Sequence, residues 1–261
     1  MIKKIFTVMA LYCATAFAAE PRFDWSTVLN IPPGAHLNSG SQILHFKSLD
    51  KPYTQSPEAT LFVETYLKEA KALPSDAEVL RFASDSVTLQ GLYIDLGVCT
   101  GKTVNFIAAL NPHQIIYGFD SFEGLPEPWT RKDRVFPTGS FGFKNPDALP
   151  PVLHNVLLFK GWFKDTLTQL PQQPIALLHI DSDLYSSAAT ALQILSDRIV
   201  SGTILIFDEL YNYPGSADHE FKALQEFLST HNLSAHYLAY NPLHEQVALR
   251  IVPIINPSMQ R

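Results

Sequence analysis

From Leu92 onward, short apolar runs alternate with amphipathic stretches, and this alternation leaves the chain few possible folds. The runs are 92–96, 115–120, 155–160, 175–180, 203–207, 235–240 and 246–252. Between them Thr103, Phe106, Ile107 and Leu110 mark one helix face, and Leu184, Ala188, Ala191, Leu192, Leu195 and Ile199 another. Phe221, Leu224, Phe227 and Leu228 mark a third. Strand–helix alternation of this kind predicts an α/β fold, a doubly wound and mostly parallel sheet with helices on both faces. The last two runs break the rhythm. Only residues 241–245 separate them, whereas a parallel crossover needs about a dozen residues or more. They are expected to form a C-terminal antiparallel hairpin, which gives seven strands with the last one reversed.

The chain has 261 residues, 46% of them apolar, enough for one large core. Its net charge is −6 and it has no Lys/Arg-rich run, which argues against nucleic acid as a main partner. Residues 1–18 combine a basic start, an apolar run and the small-x-small site Ala16-Phe17-Ala18. They read as a secretory signal peptide, with a buried N-terminal helix as the alternative. The expectation is an exported protein, periplasmic or secreted, or a cytoplasmic one if the segment does not function as a signal. Cleavage would remove Cys13 and leave Cys99, so no intrachain disulfide is expected. No later segment reaches the roughly 20 apolar residues of a membrane span.

Residues 19–90 read as an irregular leader followed by N-terminal helices. Ser56-Pro57-Glu58 offers an N-cap, a first-turn proline and an acid, predicting a helix over 56–73, with a second over 78–84. Residues 91–261 form the main domain.

The first strand runs into Asp95-Leu96-Gly97-Val98-Cys99-Thr100-Gly101-Lys102-Thr103. Gly97 permits a tight turn and close approach to a ligand, and Gly101 permits close helix–strand packing. The helix start that follows presents free N–H groups. Cys99 stands where a dinucleotide fingerprint has its middle glycine, and the spacing is not that of a phosphate-binding loop. The turn suits a ligand with an amino-acid moiety and no phosphate. Asp120 ends the second strand, where doubly wound folds use an acid to hold ribose hydroxyls. A solvated strand-end aspartate is the plainer reading of Asp120.

His179-Ile180-Asp181-Ser182-Asp183 closes the fourth strand and Phe207-Asp208-Glu209 the fifth. Asp181, Asp208 and Glu209 are expected to converge as oxygen ligands for Mg²⁺ or a similar hard cation, which would acidify and orient a substrate hydroxyl. His179 shares a strand face with Asp181, as an orienting group, a base or a core histidine. Asp183 is expected to cap the following helix. Trp162, after the third strand, is placed to stack on an adenine or to pack in the core. The long connection from Phe122 to Pro151 has the length of a binding loop or lid. Tyr211, Tyr213 and His219-Glu220 are candidates for an acceptor pocket.

Three runs resemble a known family: Gly118-Phe119-Asp120-Ser121-Phe122-Glu123-Gly124-Leu125-Pro126, His179 through Ser187, and Phe207 through Gly215. They are similar to the macrocin-O-methyltransferases, enzymes of the class I methyltransferase fold that use S-adenosylmethionine (SAM). The likeness covers roughly residues 91–252. It implies a SAM pocket at Asp95, Gly97, Gly101, Asp120 and Ser121. It also implies Mg²⁺-assisted O-methylation of a sugar or glycosylated small molecule, with metal ligands at Asp181, Asp208 and Glu209. Characterised members carry two consecutive aspartates where this chain has Asp208-Glu209. A non-catalytic SAM- or sugar-binding module is the alternative, and an NAD-dependent oxidoreductase is disfavoured by the missing glycine and the final hairpin. The sequence names no acceptor and leaves a homo-oligomer open.

Overall fold

A computed structural model describes residues 30–32, 34–38, 44–48, 56–145 and 147–254; the signal-like segment 1–18 lies outside them. In chain order the strands are β1 (Ala35–Leu37), β2 (Phe46–Ser48), β3 (Lys71–Ala72), β4 (Leu92–Leu96), β5 (Ile116–Asp120), β6 (Trp129–Thr130), β7 (Val135–Phe136), β8 (Val156–Lys160), β9 (Ile175–Ile180), β10 (Ile204–Phe207), β11 (Leu233–Tyr240) and β12 (Val247–Pro253). The helices are α1 (Pro57–Tyr66), α2 (Asp76–Asp85), α3 (Lys102–Leu110), α4 (Phe163–Thr166), α5 (Tyr185–Ile194) and α6 (Glu220–Thr230).

The apolar runs assemble into one eight-stranded sheet in the order β3-β11-β12-β10-β9-β4-β5-β8. Strands β10, β9, β4, β5 and β8 run parallel. β12 is antiparallel to both β10 and β11, as the short 241–245 link requires. Every residue of β4, β9 and β10 is buried, because helices cover both faces. Side chains alternate between the faces with the strand period of two. Leu92, Ile94, Leu96, Leu205 and Phe207 pack with Ala188, Leu192 and Phe227. Tyr93, Ile204 and Ile206 pack with Val79, Leu80, Val104 and Phe106.

Two N-terminal expectations need correction. The first helix, capped by the Ser56 hydroxyl accepting from the Ala59 N–H, ends at Tyr66 rather than near 73. Lys71–Ala72 instead pairs in parallel with Ala239 and Tyr240 of β11, an eighth strand where seven were expected. The second helix begins at Asp76, where Ser75 and Glu78 cap each other. Its Ala77, Val79, Leu80 and Ala83 enter the same core as β4 and α3, so residue 91 marks no break in packing.

The chain leaves β4 toward β5 and β8, then returns to lay β9 and β10 on β4's other side. That reversal places a crevice beyond the carboxyl ends of the strands. The ladder persists to its lip: the Gly97 N–H donates to the Phe119 carbonyl, Asp181 to Leu96 and Asp208 to Ile180, each at 2.9 Å.

Candidate active site

The crevice is a cavity of about 630 Å³, within the range of small-molecule sites. Gly97 forms its floor with φ +92°, and a Cβ there would lie 1.7 Å from the Asp181 carbonyl oxygen. Only glycine lets the turn after β4 pass so close to β9. Cys99 continues the turn at φ 45°. Its N–H donates to Asp120 Oδ2 at 2.7 Å, and the Phe122 N–H donates to Asp120 Oδ1 at 2.6 Å. Asp120 thus ties together the turns after β4 and β5 and faces the cavity with its remaining lone pairs. Ser121 lines the same wall, but its hydroxyl closes a local turn, accepting from the Glu123 N–H and donating to the Gly124 carbonyl.

Trp162, half-buried at the start of α4, lines the cavity beside Phe163. Gly97, Asp120, Ser121, Trp162, Asp181, Asp208 and Glu209 are therefore gathered on one cavity. Asp95, Gly101 and His179 are not on its wall. Gly101, at φ +86°, abuts Pro150 and the Asn105 amide and serves packing. Asp95 and His179 are both fully buried behind the floor, with His179 Nδ1 2.6 Å from Asp95 Oδ1 and His179 Nε2 3.9 Å from Asp208 Oδ1. His179 Nε2 is too far from Asp208 for a hydrogen bond and acts on it through charge, and burial keeps His179 off the cavity wall.

Asp181, Asp208 and Glu209 each offer an oxygen, all within 4.8 Å of one another. Glu209 Oε2 is buried and has no hydrogen-bond partner among the described residues. An all-oxygen set from two adjacent strand ends, one oxygen orphaned, fits a hard divalent cation. Burial and the Asp208 charge push Asp181 well above the usual carboxylate range, and burial, Asp208 and Asp181 do the same to Glu209. Burial would raise Asp208 too, but the charges of Lys102 and His179 outweigh it and leave Asp208 lowered.

Lys102, a cavity residue the sequence reading passed over, supplies that charge from the first turn of α3. Burial disfavours its ammonium, yet Asp208 and Asp181 more than compensate and raise its pKa. Charge repulsion within the acidic cluster is thus partly met by the chain itself. The signal was present in Gly101-Lys102-Thr103, a cation placed one residue after the glycine turn.

Asp183 does not cap α5. The N-cap is Leu184, without a side-chain bond, while Asp183 takes φ 62° and joins the cavity lining. Burial and then Asp208 push its carboxyl up to about 7. Of the later aromatics, Tyr211 is buried in the core. Tyr213 packs with Trp129 under the guanidinium of Arg131, which lies 4.1 Å from the Tyr213 ring. Glu220 is fully buried and accepts from both the Ser182 N–H and hydroxyl. The hairpin tip brings His244 and Glu245 into the lining, and no motif announced them.

A parallel sheet ending in a reversed strand, with a glycine turn and an acid at the adjoining strand ends, defines the class I methyltransferase fold. The solved O-methyltransferase NovP shares this fold at a TM-score of 0.50 and 19% identity, covering 66% of this chain and 78% of that one. Residues 147–239 match the family model of the macrocin-O-methyltransferases (TylF), and the resemblance read from the sequence is borne out over that stretch. The 8-demethyl-8-(2,3-dimethoxy-alpha-L-rhamnosyl)-tetracenomycin-C 4'-O-methyltransferase of Streptomyces olivaceus is 29% identical over 151 residues, 50% of this chain and 58% of that protein. The demethyldecarbamoylnovobiocin O-methyltransferase of Streptomyces niveus is 36% identical over 76 residues, 29% of this chain and 28% of that protein. The chain thus spans 58% of the first relative's length and 28% of the second's.

Proposed function

We propose that the chain is a SAM-dependent O-methyltransferase, assisted by a divalent cation, whose acceptor is a sugar hydroxyl of a glycosylated small molecule. The observation that carries this reading is the convergence of Asp120, beside the Gly97 turn, with Asp181, Asp208 and Glu209 on one cavity. The two Streptomyces relatives, both O-methyltransferases by name, support it.

SAM, when bound, supplies an electrophilic methyl group on a sulfonium centre. The residues of this chain do the rest. Gly97 admits the methionine portion against the backbone, Asp120 accepts hydrogen bonds from ribose hydroxyls, and Trp162 offers a face to the adenine. Asp181, Asp208 and Glu209 would hold Mg²⁺, whose contribution is to lower the pKa of a hydroxyl beside it. Asp181 would also take up the proton that this hydroxyl loses. Orientation within the cavity supplies much of the rate gain. Lys102 and Arg131 add positive charge to the lining.

Asp208→Asn should reduce methyl transfer by at least about a hundredfold, the loss expected when a metal site is dismantled, while SAM binding stays within about twofold of wild type. Full turnover by the variant, or by the wild type in excess chelator, would remove the metal from the reading. SAM binding without product from any glycosylated acceptor would favour a binding module instead.

A further inference from the structure

The tip of the β11–β12 hairpin, residues 241–246, carries a buried polar chain that ends on the acidic cluster. Asn241 is 0% exposed and Gln246 3%. The Leu243 backbone N–H donates to Asn241 Oδ1 at 2.9 Å. A backbone N–H can only donate, so this contact settles which end of the Asn241 amide is oxygen. Its Nδ2 must then face Gln246, and it donates to Gln246 Oε1 at 2.9 Å.

Gln246 is fixed in turn. Its Nε2 faces Asp208 Oδ1 at 3.2 Å and His244 Nδ1 at 3.1 Å. A primary amide nitrogen has two hydrogens, one for each contact. His244 Nδ1 therefore accepts, and the proton of the neutral ring sits on Nε2. The tip is clamped from behind: the Tyr211 hydroxyl donates to the Asn241 carbonyl at 2.7 Å and the Asn212 amide to the His244 carbonyl at 2.8 Å. The Leu210 N–H donates to the Glu245 carbonyl at 3.2 Å.

We propose that Gln246 is a positioning residue that locks His244 of the cavity wall in the Nε2–H tautomer. The Nδ1 lone pair of His244 is then spent on Gln246 and closed to a proton from the acceptor. His179 has the opposite arrangement, since its Nδ1 meets the Asp95 carboxylate at 2.6 Å. Nδ1 is thus an acceptor in His244 and a donor in His179. This inference rests on the methyl-transfer reading for its role, but the tautomer itself is a property of the ligand-free chain.

Long-range ¹H–¹⁵N correlation spectra of the full ligand-free chain test it, taken above the His244 pKa, which burial lowers. The His244 signals are assigned by their loss in His244→Gln. The expected wild-type pattern has a protonated Nε2 and an unprotonated Nδ1, and a protonated Nδ1 would overturn the proposal without any variant needing to fold. In Gln246→Glu, a carboxylate oxygen replaces the donor and the pattern should invert to Nδ1–H; an unchanged pattern in that folded variant would also overturn it. Failure of methyl transfer leaves these spectra unaffected, so the two readings fail separately.

Discussion

Cys99 illustrates how much the site asks of single residues. It sits at φ 45°, a backbone region that non-glycine residues seldom enter, and its N–H is held by Asp120. Burial first, then the charges of Asp181 and Asp120, push its thiol up to about 11. At pH 8 only about one Cys99 in a thousand would then be thiolate, against roughly a quarter for an ordinary cysteine. Alkylation of Cys99 in the ligand-free protein, followed by peptide mass spectrometry, should accelerate with pH up to about 11. A rate that levels off near the ordinary thiol range would contradict this electrostatic picture. Gly97 and Asp120 were legible in the sequence because each satisfies a backbone rule that shows in residue type. Lys102 and Gln246 were not, because long or amide side chains reach the cluster only through tertiary contacts. Asp183 was misread for a related reason: a side-chain cap needs extended backbone, and its left-handed φ turns it away.

Between elements, the β6–β7 hairpin is tied to the β11–β12 tip by Arg131. Its Nη2 lies 3.1 Å from Glu245 Oε1, and its guanidinium lies over the Trp129 and Tyr213 rings. The contact has the geometry of an ion pair, yet burial outweighs the Arg131 charge and pushes Glu245 up to about 8. The Glu245 carboxyl is thus largely protonated near neutrality, and removing Arg131 strands less charge than a buried ion pair would. Arg131→Ala should cost about 2 kcal/mol, mostly from lost ring contacts, and Glu245→Gln less than about 1 kcal/mol. Urea unfolding of the two variants checks the order; a larger loss in Glu245→Gln would contradict it. The sheet strands were legible because short continuous apolar runs must be covered on both faces. β3 was not: Lys71 and Ala72 are both exposed and join the sheet only because β11 offers an open edge.

For the molecule as a whole, buried carboxyls dominate the response to pH. Asp183 titrates near 7 and Glu220 and Glu245 near 8, each raised first by burial. The folded chain therefore holds protons that the unfolded chain releases near the ordinary carboxylate range. Where the native state binds more protons, stability falls as pH rises. The contribution of these groups is full below about pH 4 and is lost progressively up to about pH 8. His219 and His244 are lowered by burial and oppose this trend only on the acid side. The thermal midpoint of the ligand-free protein in chelator should drop between about pH 6 and about pH 9; a midpoint rising over that range would refute the assignment. Fold class was readable at this scale from strand–helix rhythm and one short link. The acceptor was not, because the cavity wall joins Trp129 and Arg131 to His244 and Glu245, segments distant in sequence.

Calorimetric titration of the full chain with SAM and, in parallel, with NAD probes the central claim most directly. The account predicts saturable SAM binding, lost in Asp120→Ala, and no heat from NAD. Binding of NAD in preference to SAM, or SAM binding indifferent to the loss of the Asp120 carboxylate, would contradict it.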